Sequence, residues 1–289
     1  MKTIDVETPI AELEFTVLDT ETTGVNPREG HQIIEVGMAK YSGGRIVDTF
    51  DRLIRPTRPL SAEALAVHKI TPEQLDGAPP MAESVDDIRG FIGETVITAH
   101  NAQFDMTFIH TALAGLGEPL LENWTIDTIH LSSALWPDMQ CHCLKCMALR
   151  LDLPHQGTHR ALEDVYATVD LLDRILAEME KRGKTTLVDL EPLSMSFTWG
   201  EGDAYRRLVG SLNCAIRKGF LVHLFYYDRE ACAFTKTTVT PVKVEKGELL
   251  ARVPGGEEES RFDLLGISKV LSQPGPEAGA GPGHCTVST

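Results

Sequence analysis

The apolar positions of this chain change period several times, and each change marks an element. Leu162, Val165, Val169, Leu172, Leu176 and Met179 recur at steps of three and four, which predicts an amphipathic helix over residues 160–181, ended by Arg182-Gly183-Lys184. Residues 15–19, 33–41 and 45–54 are short runs rich in β-branched and apolar side chains, the pattern of strands, and Gly43-Gly44 supplies a hairpin turn between the last two. Residues 96–99 form a fourth, short apolar strand. Helical periodicity covers 61–67, 83–92 and 104–116, the last stopped by Gly117. The sum is an α/β fold, a mixed central sheet flanked by helices.

After about residue 183 the pattern restarts. Pro192, Gly200 and Gly202 mark a linker over 184–202, in which Leu190, Leu193, Phe197 and Trp199 are apolar enough to pack on a domain. Asp203 then caps a helix over 204–218 with Leu208, Leu212, Ala215 and Ile216 on one side. Runs at 220–227, 234–244, 248–253 and 260–264, with turns at Lys246-Gly247 and Gly255-Gly256, predict a small β-barrel after that helix. Residues 273–289, dense in Gly and Pro, predict a disordered tail. The string Gly279-Ala280-Gly281-Pro282-Gly283 follows no strand and opens no helix, which excludes a nucleotide-binding loop. The expected organisation is therefore a domain over 1–183, a linker, a helix-plus-barrel domain over 203–272 and a tail.

Three short motifs carry the chemistry. Asp19-Thr20-Glu21-Thr22-Thr23-Gly24 ends the first strand, His100-Asn101-Ala102-Gln103-Phe104-Asp105 follows the fourth, and His159-Arg160-Ala161-Leu162-Glu163-Asp164 opens the long helix. Hard divalent cations prefer oxygen ligands, and phosphodiester hydrolysis commonly uses two of them about 3.5–4 Å apart. Asp19 and Glu21, two apart on an extended segment, project to one face, so Asp105 and Asp164 must arrive from other elements. A group that removes a proton from water completes such a set, and histidine suits that task because it titrates near neutrality. His159 and Asp164 are five apart, not a same-face helical spacing, which places Asp164 on the helix and His159 before it. The loop Pro154-His155-Gln156-Gly157-Thr158 agrees with that placement and implies a mobile His159. Each residue also has a bland reading: Asp105 fits a helix N-cap, Asp164 an exposed helix position, His159 a loop histidine. Asp-x-Glu alone is weak; the three motifs in this order are a strong signal for a metal-dependent nuclease.

On these motifs, together with Ile33-Ile34-Glu35-Val36-Gly37, Leu65-Ala66-Val67-His68-Lys69-Ile70-Thr71 and Ile126-Asp127-Thr128, residues 15–181 resemble the DEDDh 3′–5′ exonucleases, the group typified by the proofreading epsilon subunit of bacterial DNA polymerase III. The resemblance implies a ribonuclease H-like, five-stranded mixed sheet. It implies that Asp19, Glu21, Asp105 and Asp164 hold two Mg²⁺ or Mn²⁺ ions and that His159 is the general base. It further implies that the Thr22, Thr23 and Gly24 backbone meets the 3′-terminal nucleotide, with Asn101 and Phe104 nearby. The expected activity is release of nucleoside 5′-monophosphates from single-stranded or frayed nucleic acid with a free 3′ end, DNA favoured. A second reading keeps the fold as a nucleic-acid anchor for a regulatory module. No residue separates DNA from RNA or names a polymerase partner.

Charge narrows the picture. The net charge is −15, and residues 1–183 carry 15 Lys+Arg against 29 Asp+Glu. An acidic nuclease domain predicts local contacts at a strand end rather than a long basic groove, hence low processivity without helpers. No apolar run approaches 18 residues and the first residues lack a signal-peptide core, so the expectation is a cytoplasmic protein without a membrane span.

The cluster Cys141-His142-Cys143-Leu144-Lys145-Cys146 contains a C-x₂-C pair and two further candidate zinc ligands. No second pair stands at finger spacing. The exonuclease resemblance makes this segment a short helix with its apolar positions in the core, so the cysteines are expected to act as small buried hydrophobes. Residues 203–272 resemble WYL domains at Ala215-Ile216-Arg217-Lys218-Gly219, Leu224-Phe225-Tyr226-Tyr227, Thr240-Pro241-Val242-Lys243 and Arg261 to Ile267. Such domains look like ligand-sensing or nucleic-acid-contacting modules. The name-giving tripeptide is replaced by Glu248-Leu249-Leu250, and Asp263 and Gly266 stand where arginines are expected. A structural or docking role is the alternative.

Overall fold

The computed structural model describes residues 7–154, 159–190, 203–228, 233–245, 247–254, 259–264 and 267–273. The chain divides into two compact units, 1–195 and 196–289.

The first unit runs β1 (Phe15–Thr22), β2 (Ile33–Ser42), β3 (Arg45–Leu53), α1 (Ala62–His68), α2 (Pro72–Asp76), α3 (Met81–Ile92), β4 (Val96–Ala99), α4 (Ala102–Leu116), β5 (Thr125–Asp127), α5 (Thr128–Leu135), α6 (Leu144–Leu151), α7 (Ala161–Lys181) and α8 (Leu187–Leu190). Its five strands lie in the order β3-β2-β1-β4-β5. β1 is central because both its faces are covered: Phe15, Val17 and Leu18 are all buried. It pairs antiparallel with β2 along its whole length but parallel with β4 only through Phe15, Thr16 and Val17. From Leu18 onward β1 has β2 alone beside it. The end of β1 therefore lies beyond its parallel neighbour, at the carboxyl ends of two parallel strands, the place where open α/β sheets bind ligands.

The helix α7 covers this sheet. Its buried stripe is Val165, Val169, Leu172, Ile175 and Met179, with Leu171 added, while Leu162 and Leu176 are only partly buried. Full burial of such a side chain stabilises by roughly 1.5–3 kcal/mol. The Tyr41 hydroxyl on β2 donates to the Asp173 carboxylate on α7. At Gly37 the helix start approaches β2 so closely that a Cβ would lie 2.5 Å from Ala161 C and Leu162 N. These are backbone atoms and cannot turn aside. Gly37→Ala is expected to cost about 1–3 kcal/mol of stability, as core overpacking does, and to lower activity by displacing Asp164. Chemical denaturation together with nuclease assay checks both; a variant with unchanged midpoint and rate would show that the helix start is free to move.

Several boundaries differ from the sequence expectation. Pro72–Asp76 is helical through a Thr71–Gln74 capping box, a short element without a recurring apolar stripe. The stretch taken as the start of the linker belongs to the first unit. Ile10 N donates to Thr185 O, Leu187 N donates to Thr8 O, and Leu187 and Leu190 are both fully buried in its core. Two leucines in one helical turn satisfied a docking site that local composition did not reveal. The remainder of the expected linker, residues 191–202, lies outside the described residues, as do Gly255-Gly256 and residues 274–289 of the expected tail. Cys141, Cys143 and Cys146 are half-buried, not core positions; in α6 the inward face is supplied by Met147 and Ala148.

The second unit comprises α9 (Asp203–Lys218), β6 (Leu221–Asp228), β7 (Ala233–Glu245), β8 (Glu248–Arg252), β9 (Glu259–Asp263) and β10 (Ile267–Gln273). Its antiparallel sheet has the order β10-β6-β7-β8-β9. Leu212 and Ala215 of α9 pack with Val222, Leu224, Val239 and Leu249. β10 was not anticipated; it pairs with β6 from Ile267↔Tyr226 to Gln273↔Leu221, so Gln273 closes a strand instead of opening a tail.

Candidate active site

The three motifs meet at the end of β1. Asp19 and Glu21 alternate along the strand with the buried Thr20 and Thr22. Asp105 lies in the first turn of α4 and is buried. One of its oxygens, Oδ1, accepts from both Thr20 N and Thr20 Oγ1 at 2.8 Å, which ties α4 to β1 between the two acidic residues. Asn101, in a left-handed conformation, is the residue that caps α4, so Asp105 is not the N-cap. Asp164 is in the first turn of α7, with its side chain 14% exposed. His159 precedes the Arg160 cap at φ +48°, and its Nδ1 is 4.0 Å from Asp164 Oδ2. Ligand atoms of Glu21, His159 and Asp164 all lie within 4.8 Å of one another. The loop residues 155–158, from which the mobility of His159 was inferred, lie outside the described residues.

The electrostatics are those of crowded acids. Burial first, then the neighbouring Asp105, Glu21, Asp164 and Glu35 carboxylates, push Asp19 well above the usual carboxylate range. Burial and the Asp164, Glu35 and Asp105 charges raise Glu21 to about 9, with Arg160 opposing. Burial raises Asp105 to about 7 despite the Thr20 hydrogen bonds that favour its ionised form. Asp19, Glu21 and Asp105, three carboxylates that resist ionisation in a cluster shared with Asp164, fit a divalent cation, whose charge would reverse that cost. The donors are oxygen with one imidazole, a set suited to hard ions.

The candidate substrate contacts lie on a hydrogen-bonded loop. Thr22 Oγ1 donates to Gly24 O at 2.7 Å, and Thr23 N donates to Gln32 O at 2.8 Å. A Cβ on Gly24 would lie 2.3 Å from the His31 ring, so glycine here makes room for that imidazole. Phe104 is half-buried and tilts against Phe108 with centroids 5.0 Å apart. His100 Nδ1 is 2.8 Å from Thr128 Oγ1, which fits a role in shaping the turn before α4.

Two supporting groups were not assigned roles from the sequence. Glu35, 1% exposed, meets Arg160 in a forked pair, with Nε to Oε1 2.9 Å and Nη2 to Oε1 2.5 Å, and also accepts Ala161 N at 2.9 Å. It thereby anchors the start of α7, the turn that carries Asp164. Asp127, also buried, accepts from Asn101 N, Ala102 N and Ile129 N and so fixes the start of α4. Burial raises it to about 6 against these bonds. The signal for both was present: an acidic residue within an apolar strand must find a partner or a cap.

Curated relatives of the matching part include the DNA polymerase III PolC-type of Bacillus subtilis, 34% identical over 199 residues, which are 68% of this chain and 13% of that protein. A DNA polymerase III subunit epsilon-like protein of Rhodobacter capsulatus is 36% identical over 184 residues, 62% of this chain and 26% of that protein. The chain thus spans between an eighth and about a quarter of the length of the first curated relatives it matches. Among solved structures, Exonuclease X in complex with 5′-overhanging duplex DNA is 29% identical with a TM-score of 0.51, covering 62% of this chain and 99% of that one. Escherichia coli Exonuclease I in complex with a dA16 oligonucleotide, at 12% identity, shares the fold with a TM-score of 0.56 over 92% of this chain and 67% of that one. The Exonuclease family model of the RNase T type matches residues 16–172, more than half of the sequence and all five residues of the acidic site and its histidine; the chain belongs to that exonuclease family.

Proposed function

We propose that the chain is a DEDDh-type 3′–5′ exonuclease that hydrolyses single-stranded or frayed nucleic acid, DNA in preference, to nucleoside 5′-monophosphates. The observation that carries this reading is the convergence of Asp19, Glu21, Asp105 and Asp164 with His159 beside them at the open end of β1. The four carboxylates are the ligands proposed for two Mg²⁺ or Mn²⁺ ions. Such ions, when bound, neutralise charge on the scissile phosphate and favour ionisation of the attacking water. His159 accepts the water proton, and its half-exposed position at the edge of the acids leaves room for water to reach it. The Thr22–Gly24 backbone receives the terminal sugar, and the exposed part of Phe104 offers a face for the base. Solved relatives include Exonuclease X in complex with duplex DNA and a 3′-exonuclease that recognises a histone mRNA stem-loop, which supports a nucleic-acid substrate without choosing between DNA and RNA. A purely regulatory, anchoring role is disfavoured by the complete catalytic set. The helix-plus-sheet unit is proposed as a WYL-like accessory module; Leu249, within the replaced tripeptide, is fully buried there. No helix among the described residues is long and apolar enough to cross a membrane, consistent with the proposed cytoplasmic location.

The test is end polarity. With a 5′-labelled oligonucleotide, the label is expected to reach the mononucleotide fraction last, a 3′-phosphate to block the reaction and a closed single-stranded circle to stay intact. Frayed ends should react faster than blunt duplex, because unpairing an end costs on the order of a few kcal/mol. Efficient cutting of the circle would overturn the exonuclease reading. Running DNA and RNA in parallel decides the substrate class.

A further inference from the structure

The acidic site leaves one other cluster of metal-ligating side chains unused among the described residues. Cys141, Cys143 and Cys146 bring their Sγ atoms within 4.8 Å of one another, and Cys141 Sγ is 3.4 Å from Cys143 Sγ. With Zn–S bonds of about 2.3 Å, a tetrahedral ion holds its sulfurs about 3.8 Å apart. The three thiols therefore stand close to the spacing that one ion requires. Cys143 is the N-cap of α6 and accepts from Cys146 N at 3.4 Å, so a backbone N–H at the start of an eight-residue helix faces the Cys143 sulfur. Hydrogen bonding with Cys141 and burial push the Cys146 thiol up to about 12 in the metal-free cluster, and a bound cation would reverse that. All three cysteines are half-buried, shielded enough to bind yet open to an entering ion.

The neighbouring histidine is not part of this set. His142 is buried, with Nδ1 3.1 Å from Ser132 Oγ and a hydrogen bond to the Met139 backbone. It ties the loop to α5 and leaves the sulfurs as the donors. Soft thiolate donors select Zn²⁺-class ions over the hard ions that suit the acidic site.

We propose that Cys141, Cys143 and Cys146 form a second metal site, a three-thiolate clip for one Zn²⁺ with solvent in the fourth position. On binding, each thiol loses its proton to solvent as its sulfur joins the ion, and no oxidant is needed. The clip joins the end of the α5–α6 connection to the first turn of α6, which holds Met147 in the core of the nuclease unit. It differs from the acidic site in donor chemistry, so the two can be emptied and read separately.

Co²⁺ is the probe. The full chain is reduced, stripped with chelator and titrated with Co²⁺ and then Zn²⁺, alongside Asp19→Asn and the double variant Cys143→Ser/Cys146→Ser. Carboxylate-bound Co²⁺ gives no sulfur-to-metal charge-transfer absorption, whereas thiolate-bound Co²⁺ does. The band is expected in the wild type and in Asp19→Asn, to be bleached by one equivalent of Zn²⁺, and to be absent from the cysteine variant. Zn²⁺ affinity in that variant should fall by more than about 100-fold, beyond what loss of an outer-shell partner causes. A wild-type protein without the band overturns the proposal, whether or not the variant folds. A band that survives undiminished in a folded cysteine variant overturns it as well.

Discussion

Asp19→Asn should abolish nucleotide release while making the metal-free protein more stable. Asp19 sits half-buried where the like charges of Asp105, Glu21 and Asp164 all act on it. Removing its charge takes away a proposed ligand of the cation and a repulsion that the metal-free site suffers. The expected loss of rate is at least about 10³-fold, the equivalent of roughly 4 kcal/mol in the barrier. Chelation of the wild type should match it, with recovery on adding Mg²⁺ or Mn²⁺. The gain in metal-free stability has a pH signature. Glu21 rises from an ordinary 4.5 to about 9 and Asp105 from 3.8 to about 7 in the folded chain. Between the ordinary and the raised values the unfolded chain has released protons that the folded chain still holds. Stability therefore falls as pH rises from about 4 toward 9 and levels off above that window. In Asp19→Asn the fall should be shallower, since one source of repulsion is gone. Thermal melts in EDTA at pH 5, 7 and 9 measure it. Wild-type stability that climbs through this window, or a variant with full activity, would falsify the clustered-acid account.

His159→Ala should lose about 10²–10⁴-fold in rate, the usual worth of a general base. The residue stands at the rim: its side chain is 58% exposed, its Nδ1 is 4.0 Å from Asp164, and its backbone is held at φ +48°. A left-handed conformation in a residue other than glycine costs free energy and is commonly retained where function requires it. The four carboxylates remain in the variant, so cation binding by calorimetry should persist. The acidic limb of the pH–rate profile should vanish, because it reports the protonated imidazole that cannot accept a proton. A variant with wild-type rate and an unchanged profile would move the base elsewhere, with His100 the next candidate. The hydrogen bond of His100 to Thr128 on the other side of the α4 start makes that the weaker choice.

How much of this architecture lay in the local pattern can be read element by element. The strand β1 and helix α7 were visible because period and composition are local properties: apolar runs and three- and four-residue steps need no distant partner. The five residues of the acidic site were visible because a hard cation and a general base demand particular side chains in short motifs. The resemblance then supplied their roles. Their convergence needed the sheet, since β4 stops pairing with β1 after Val17 and Asp105 of α4 binds the strand beyond it at Thr20.

The supporting parts were decided by contacts across long stretches of chain. Glu35 meets Arg160, 125 residues away, and Asp127 accepts from the start of a helix 25 residues earlier. Neither pairing follows from period or motif, because a buried acid states only that it needs a partner, not which one. The same holds for Leu187 and Leu190, whose docking on the nuclease unit moved the start of the linker. It holds for β10, an edge strand defined by its pairing with β6. The cysteines show the limit most plainly. Their spacing along the chain suggested ligands, yet the missing second pair argued against a finger. Only the turn into α6, with Cys143 as its cap, brings three sulfurs to the separation of a single ion, while burial and hydrogen bonding draw His142 away. The sequence by itself determined which chemistries were available and on which faces of which elements they lay. Their distances, partners and exposure were set by packing, because those quantities exist only once distant segments share one core.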